Sequence, residues 1–139
     1  MTGVPTTMAV GFDGSPDSEA ALRWAAGLAA GTGAQLVVVH AVGLLEHAGI
    51  EGRATAHRET VERIADEAGL DPDRVAWSVL DGDPCSALLR VAGERPEVGL
   101  LVVGSRGAGR HHGSVLGSTS LEVAERATVP VAIVPTGVR

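Results

Sequence analysis

The segment from Gly104 to Ser120 reads GSRGAGRHHGSVLGSTS, and its residue types suit the capture of an anion. Its glycines let main-chain amides approach a ligand closely and adopt positive φ. Gly117-Ser118-Thr119-Ser120 offers amides and hydroxyls at the start of a helix, where negative charge is favoured. No Asp or Glu lies between Val98 and Leu121 to oppose that charge. Arg106, Arg110, His111 and His112 could add cations, although the last three serve equally well as solvated surface. A phosphate is the natural ligand; the plain alternative is a flexible glycine connection between a strand and a helix.

Two common phosphate motifs fit poorly. Gly104-x4-Gly109 begins like a P-loop, but Arg110-His111 stand where Lys-Ser/Thr is needed, and the chain contains no lysine. Gly107-x-Gly109 begins a dinucleotide fingerprint, but Gly113 comes one residue late. The segment also lies near the end of the chain, whereas that fingerprint opens a βαβ unit.

Other chemistries find less support. His111 and His112 are adjacent, and neighbours in a regular element seldom share one ion. His40, His47 and His57 show no ligand spacing, so no metal site built from protein ligands is expected. Cys85 is the only cysteine, which rules out an internal disulfide. It falls in a first helical turn, where its pKa could be lowered; the plainer reading is a quiet, half-buried thiol. A net charge of −6 argues against a general nucleic-acid grip. No apolar run approaches the ~20 residues that span a bilayer. MTGVPTT, the first residues, lack a basic and apolar leader. A soluble protein in the reducing cytoplasm is the default expectation, with no membrane partner.

The elements that must carry these residues alternate. The 139 residues fit one domain, and with aromatics at 2% its core must be built from Val, Leu, Ile and Ala. MAVGF reads as a first strand. SPDSEAALRWAAGLAAG reads as a helix capped by Ser15, with Pro16 at its first position and Gly31 or Gly33 to stop it. Ala21, Trp24, Ala25 and Leu28 form its apolar stripe. AQLVVVHAV is a continuously apolar strand, GLLEHAGIEGR a loop, and ATAHRETVERIADEAG a second helix ended by Gly69. RVAWSVLDG alternates, as a less buried strand near a sheet edge would. DPCSALLRVAGE is a helix capped by Asp83, and VGLLVVG a second continuously apolar strand. TSLEVAERA is a fourth helix in which Thr119 and Glu122 have capping-box spacing. VPVAIVP closes the chain as a strand bracketed by prolines, which suits an edge. Strict alternation implies a parallel sheet with helices on both faces.

One pattern fits the glycine segment at every position. Gly104-x2-Gly107-x9-Gly117-Ser118, with GFDGS around Asp13, LLVVGSRGAG, GSTS and the terminal VPVAIVP, resembles the ATP-binding branch of the universal stress protein family. The resemblance covers almost the whole chain, as a single domain. It implies an α/β fold of the adenine nucleotide alpha hydrolase-like, Rossmann-like kind. That fold has a five-stranded parallel sheet in the order 3-2-1-4-5, with helices on both faces. The switch in strand order would then lie between strands one and four.

The resemblance also implies site residues. Asp13 would sit at the nucleoside end, although Asp13-Gly14-Ser15 is also a good turn and helix entry. The backbone of Ala41 would meet adenine, and Val103 and Gly104 would approach ribose and phosphate. Gly107 and Gly117 would permit close backbone approach. Ser118, Thr119 and Ser120 would donate to phosphate oxygens, with Thr119 the weaker candidate because capping could occupy it. Arg106 and Gly109 would add contacts, and Mg²⁺ would be held by the phosphates of ATP. No residue is placed to activate water, and a Walker lysine and acid are both missing. The implied function is therefore a nucleotide-dependent stress-response regulator with little or no turnover. A weak ATPase, an adenylate-transferring protein and a nucleotide-free interaction module of the same fold are the alternatives. The strand Val129–Pro135 would pair across a two-fold axis to give a homodimer, unless the N-terminal TGVPTT covers that edge.

Overall fold

The computed structural model of the chain describes residues 5–42, 50–106 and 116–137, and for 50–55 the backbone alone. Strand β1 (Thr7–Gly11) leads through a short turn into helix α1 (Pro16–Thr32). Ser15 caps α1, its Oγ accepting from Ser18 N at 3.2 Å, and Pro16 occupies the first turn, where its missing N–H costs nothing. Gly33 ends α1 in the left-handed conformation at φ 83°, and its N–H returns to Ala29 O. The fully buried residues of α1 include Ala21, Leu22, Ala25, Ala26 and Ala29, while Trp24 and Leu28 are only half-buried. The buried face is thus wider than the expected stripe, because α1 packs on β1 and its neighbours and also on the second helix.

Strand β2 (Gln35–Val42) precedes α2 (Ile50–Glu67). The expected loop over 43–53 is corrected here: its last four residues are already helical. No proline stands between Val42 and Leu70 to stop a helix running back, and Gly52 alone opposes it, at a cost of about 1 kcal/mol. Residues 43–49 lie outside the described residues. A short 3-10 turn at Pro72–Arg74 introduces β3 (Val75–Asp81). Helix α3 (Pro84–Glu94) follows, with Asp83 as its cap, and then β4 (Val98–Gly104), α4 (Ser118–Arg126) and β5 (Val131–Val134).

The strands form one sheet in the order β3-β2-β1-β4-β5, and every pairing is parallel. β1 is central: Ala9 stands between Val37 and Leu101, and Val10 between Val38 and Val102. Alternation along the strands divides the core in two. Met8, Val10, Phe12, Leu36 and Val38 pack under α1 and α2. Ala9, Val37, Val39, Leu101 and Val103 face α3 and α4 on the other side. β3 and β5 are the edges, as the alternating and proline-bracketed patterns require. The described start of the chain lies elsewhere: Thr6 O accepts from Gln35 N, and Pro5 packs against Gly99 at the beginning of β4. Among the described residues, no helix is long and apolar enough to cross a membrane.

Candidate functional site

The chain leaves β1 toward α1 on one face of the sheet and leaves β4 toward α4 on the other. The carboxyl ends of these neighbouring strands therefore splay apart, which is where ligands enter open α/β sheets. A crevice of about 520 Å³, open solvent at its mouth included, lies there. Its floor is apolar, formed by Gly11, Val39, Ala41 and Val103. Asp13 and Ser18 stand on one side, Gly104 and Arg106 on the other, and Thr119 and Ser120 come from the first turn of α4. Pro84 and Leu88 of α3 complete the wall.

The turn after β1 is held from several directions. Asp13 Oδ1 accepts from Ser15 N at 2.9 Å, and Asp13 N donates to Ser18 Oγ at 3.3 Å. Asp13 thus makes the turn and borders the crevice at once. Behind it, on the α2 face, His40 Nδ1 donates to Phe12 O at 2.9 Å. The rings of His40 and His57 meet edge-on at 4.8 Å, and Trp77 stacks on His40. A Cβ on Gly14 would come within 2.6 Å of His57 Nε2, and Gly14 has φ 84°, so only glycine suits this position. Sequence spacing gave no sign of this support, because His40 and His57 sit on different elements.

Gly104 is a glycine for a reason the sequence did not reveal. A Cβ there would lie 2.6 Å from the Asp17 carbonyl oxygen, so the first turn of α1 rests directly on the end of β4. Asp17 is buried, and Thr136 Oγ1 donates to its Oδ1, which ties the residues after β5 to that turn.

The start of α4 departs from expectation. Gly117, at φ −77°, is the cap residue, and no side chain caps this helix. The expected capping box of Thr119 and Glu122 is not formed, because the helix begins two residues earlier than its spacing requires. Gly117 N donates to Ser105 O at 2.6 Å, folding the helix entry back onto the end of β4. Ser120 is buried, and its hydroxyl lies within hydrogen-bonding distance of Ser105 O at 3.1 Å and Gly117 O at 2.9 Å. Ser118 is exposed and lies outside the crevice lining, whereas Thr119 borders it. The structure therefore brings Asp13, Ala41, Val103, Gly104, Arg106, Thr119 and Ser120 to one crevice. Gly107 and Gly109, with Arg110, His111 and His112, lie outside the described residues.

Sequence reasoning missed Ser18, Pro84 and Leu88. Leu88 reaches over β1, and a Cβ on Gly11 would stand 3.1 Å from its Cδ1. The signal available was the apolar face of α3, which must cover the sheet beside β1. Cys85 on the same helix is fully buried rather than half-buried. Burial first, and then the Glu122 carboxylate, push its thiol pKa up, so the helix start does not activate it. The Ser86 amide, followed by the Ser86 hydroxyl, holds Asp83 below the usual carboxylate range.

Comparison with known proteins agrees with this geometry. Residues 6–135 match the sequence profile of the universal stress protein family. A universal stress protein of Mycolicibacterium smegmatis is 37% identical over 132 residues, which cover 90% of this chain and 44% of that protein. One from Mycobacterium tuberculosis is 36% identical over 131 residues, covering 89% of this chain and 43% of its own. The chain thus spans less than half the length of these curated relatives. Among solved structures, a universal stress protein in complex with cAMP superposes with a TM-score of 0.79 at 32% identity, covering 97% of this chain and all of its own. UspA of Lactobacillus plantarum shares the fold, with a TM-score of 0.83 at 19% identity over 96% of this chain and 99% of its own. Profile, relatives and fold agree: this chain belongs to the universal stress protein family.

Proposed function

We propose that the crevice binds an adenine nucleotide, ATP in particular, and that the protein acts as a nucleotide-dependent regulator with little or no turnover. One observation carries this reading. Asp13, Arg106 and the first turn of α4 converge around an apolar floor at the switch between β1 and β4. The floor suits a base, and the amides that begin α4 suit phosphate oxygens. In this reading Asp13 serves the nucleoside end and the α4 turn the phosphates. The relative crystallised with cAMP supports the ligand class. ATP carries more phosphate than that ligand, and Arg106, just beyond β4, supplies charge for the addition. Mg²⁺ would be held by the phosphates rather than by side chains.

A regulator without catalysis fits the lining. Asp13 is the one carboxylate among the described residues bordering the crevice, and it serves the turn after β1. It lies at the wrong end to activate a water for attack on the terminal phosphate. Its binding output would be an altered population of loop or assembly states. A homodimer through the Val129–Pro135 edge is part of this proposal.

Calorimetric titration with ATP, ADP, AMP and cyclic AMP, with and without Mg²⁺, tests the proposal. Saturable one-to-one heat with ATP is the expected result. Folded protein that returns no heat with any of the four ends the nucleotide reading. Phosphate release proportional to protein, and lost with binding, would favour the weak ATPase instead.

A further inference from the structure

We propose that Asp83, Cys85 and Glu122 form a binding site for a thiophilic divalent cation of the Zn²⁺ class, bridging the start of α3 and the middle of α4. The sequence separates these residues, but the packing of α3 against α4 brings one ligand atom from each within 4.8 Å of the others. This is the only such grouping among the described residues. It lies outside the crevice, so the inference goes beyond the nucleotide proposal and stands independently of it.

Two features point to a cation rather than to a surface coincidence. The first is the buried thiol: Cys85 is 1% exposed, yet its sulfur stands beside two carboxylates that reach solvent. A soft sulfur with two hard oxygens is a donor set that Zn²⁺ accepts, with one position left for water. The second is that groups outside the triad orient both carboxylates. Ser86 N and Oγ hold Asp83 at 2.9 and 2.7 Å, and Arg126 holds one oxygen of Glu122 at 2.9 Å. Such outer partners aim ligands and leave further lone pairs for a metal. Tetrahedral Zn²⁺ with ordinary bond lengths sets its donors about 3.4–3.6 Å apart. Closing from the present separation needs a contraction of about 1 Å, within the range of two exposed carboxylate side chains. Coordination converts the thiol to a thiolate and releases its proton to solvent. The bound ion would pin the first turn of α3 to the middle of α4, and these two helices border the crevice through Pro84 and Thr119.

The test uses the intact, nucleotide-free chain. Co²⁺ is titrated by absorption and Zn²⁺ by calorimetry, in the parent protein and in Cys85→Ser, Glu122→Gln and Asp83→Asn. The last change keeps a competent helix cap. A one-to-one Co²⁺ complex with a thiolate charge-transfer band is expected. That band should vanish in Cys85→Ser, and Zn²⁺ affinity should fall at least tenfold in Glu122→Gln and Asp83→Asn. If Cys85→Ser does not fold, the two carboxylate variants decide alone. A parent protein without the thiolate band, or Zn²⁺ affinity unchanged in folded variants because histidines bind it elsewhere, overturns the proposal.

Discussion

Gly104 shows how one residue can serve two masters. In the sequence it opens the nucleotide-like pattern, and close approach of a ligand is sufficient reason for a glycine. The fold supplies a second reason, since any Cβ would collide with the main chain of Asp17. Gly104→Ala is therefore expected to lower stability by about 1–3 kcal/mol, measured as a lower denaturant midpoint with an unchanged slope, even without nucleotide. An unchanged midpoint would mean that α1 yields and that the ligand alone explains this glycine. Cys85 gives a second prediction at this scale. Its thiol pKa is raised in the folded state, so the fold favours the protonated form. The associated stability is complete below the ordinary thiol pKa and is lost as pH rises through the raised value. As pH rises above the ordinary thiol pKa, the parent protein should lose stability more steeply than Cys85→Ser, other titrations being shared. Parallel curves would contradict the assigned shift.

Helices α1, α3 and α4 all begin at the carboxyl end of the sheet, but their starts are finished differently. Ser15 caps α1 and Asp83 caps α3, while α4 begins at Gly117 with no side chain on its first amides. An uncapped start keeps amides available to an external anion. This yields a discriminating variant. Asp is a favourable cap and tolerates the φ of −77° found at Gly117, so Gly117→Asp should preserve α4. The same carboxylate would stand where a phosphate is proposed to sit. Unchanged helical circular dichroism is expected, with ATP affinity reduced at least a hundredfold in calorimetry. ATP bound as tightly as before would remove the start of α4 from the phosphate site. α3 contributes differently, by laying Pro84 and Leu88 along the crevice as a wall.

At the scale of the whole molecule, the two sheet edges differ. β3 runs for seven residues in unbroken register with β2, whereas β5 has four residues between Pro130 and Pro135. Pro5 and Thr6 pack at the starts of β4 and β2, so the described part of the N-terminal segment does not supply a cover for β5. Exposed edges rich in Val and Ile invite pairing. The proposed homodimer predicts that Val131→Asp sediments as a monomer at concentrations where the parent is a dimer. A dimer that survives this change uses another surface. Because β5 follows α4, and Thr136 reaches back to Asp17 beside Gly104, a ligand in the crevice and a partner on this edge would act on one connected region.

The sequence by itself determined the alternation of strands and helices, the caps at Ser15 and Asp83, and the edge character of β3 and β5. These are local matters: apolar runs, proline and glycine positions, and residue pairs a few positions apart. With the resemblance of its glycine pattern, it also pointed to the right strand order. What it misjudged was the entry to α4, because capping-box spacing cannot tell which residue starts the helix when Gly117 is folded back onto Ser105. It also could not show that Asp17 excludes a side chain at Gly104, that His57 rests on Gly14, or that Leu88 reaches Gly11. Those contacts join residues distant along the chain, and only the packing of helices on a twisted sheet fixes their distances. The meeting of Asp83, Cys85 and Glu122 has the same origin, since no spacing rule relates two helices separated by a strand.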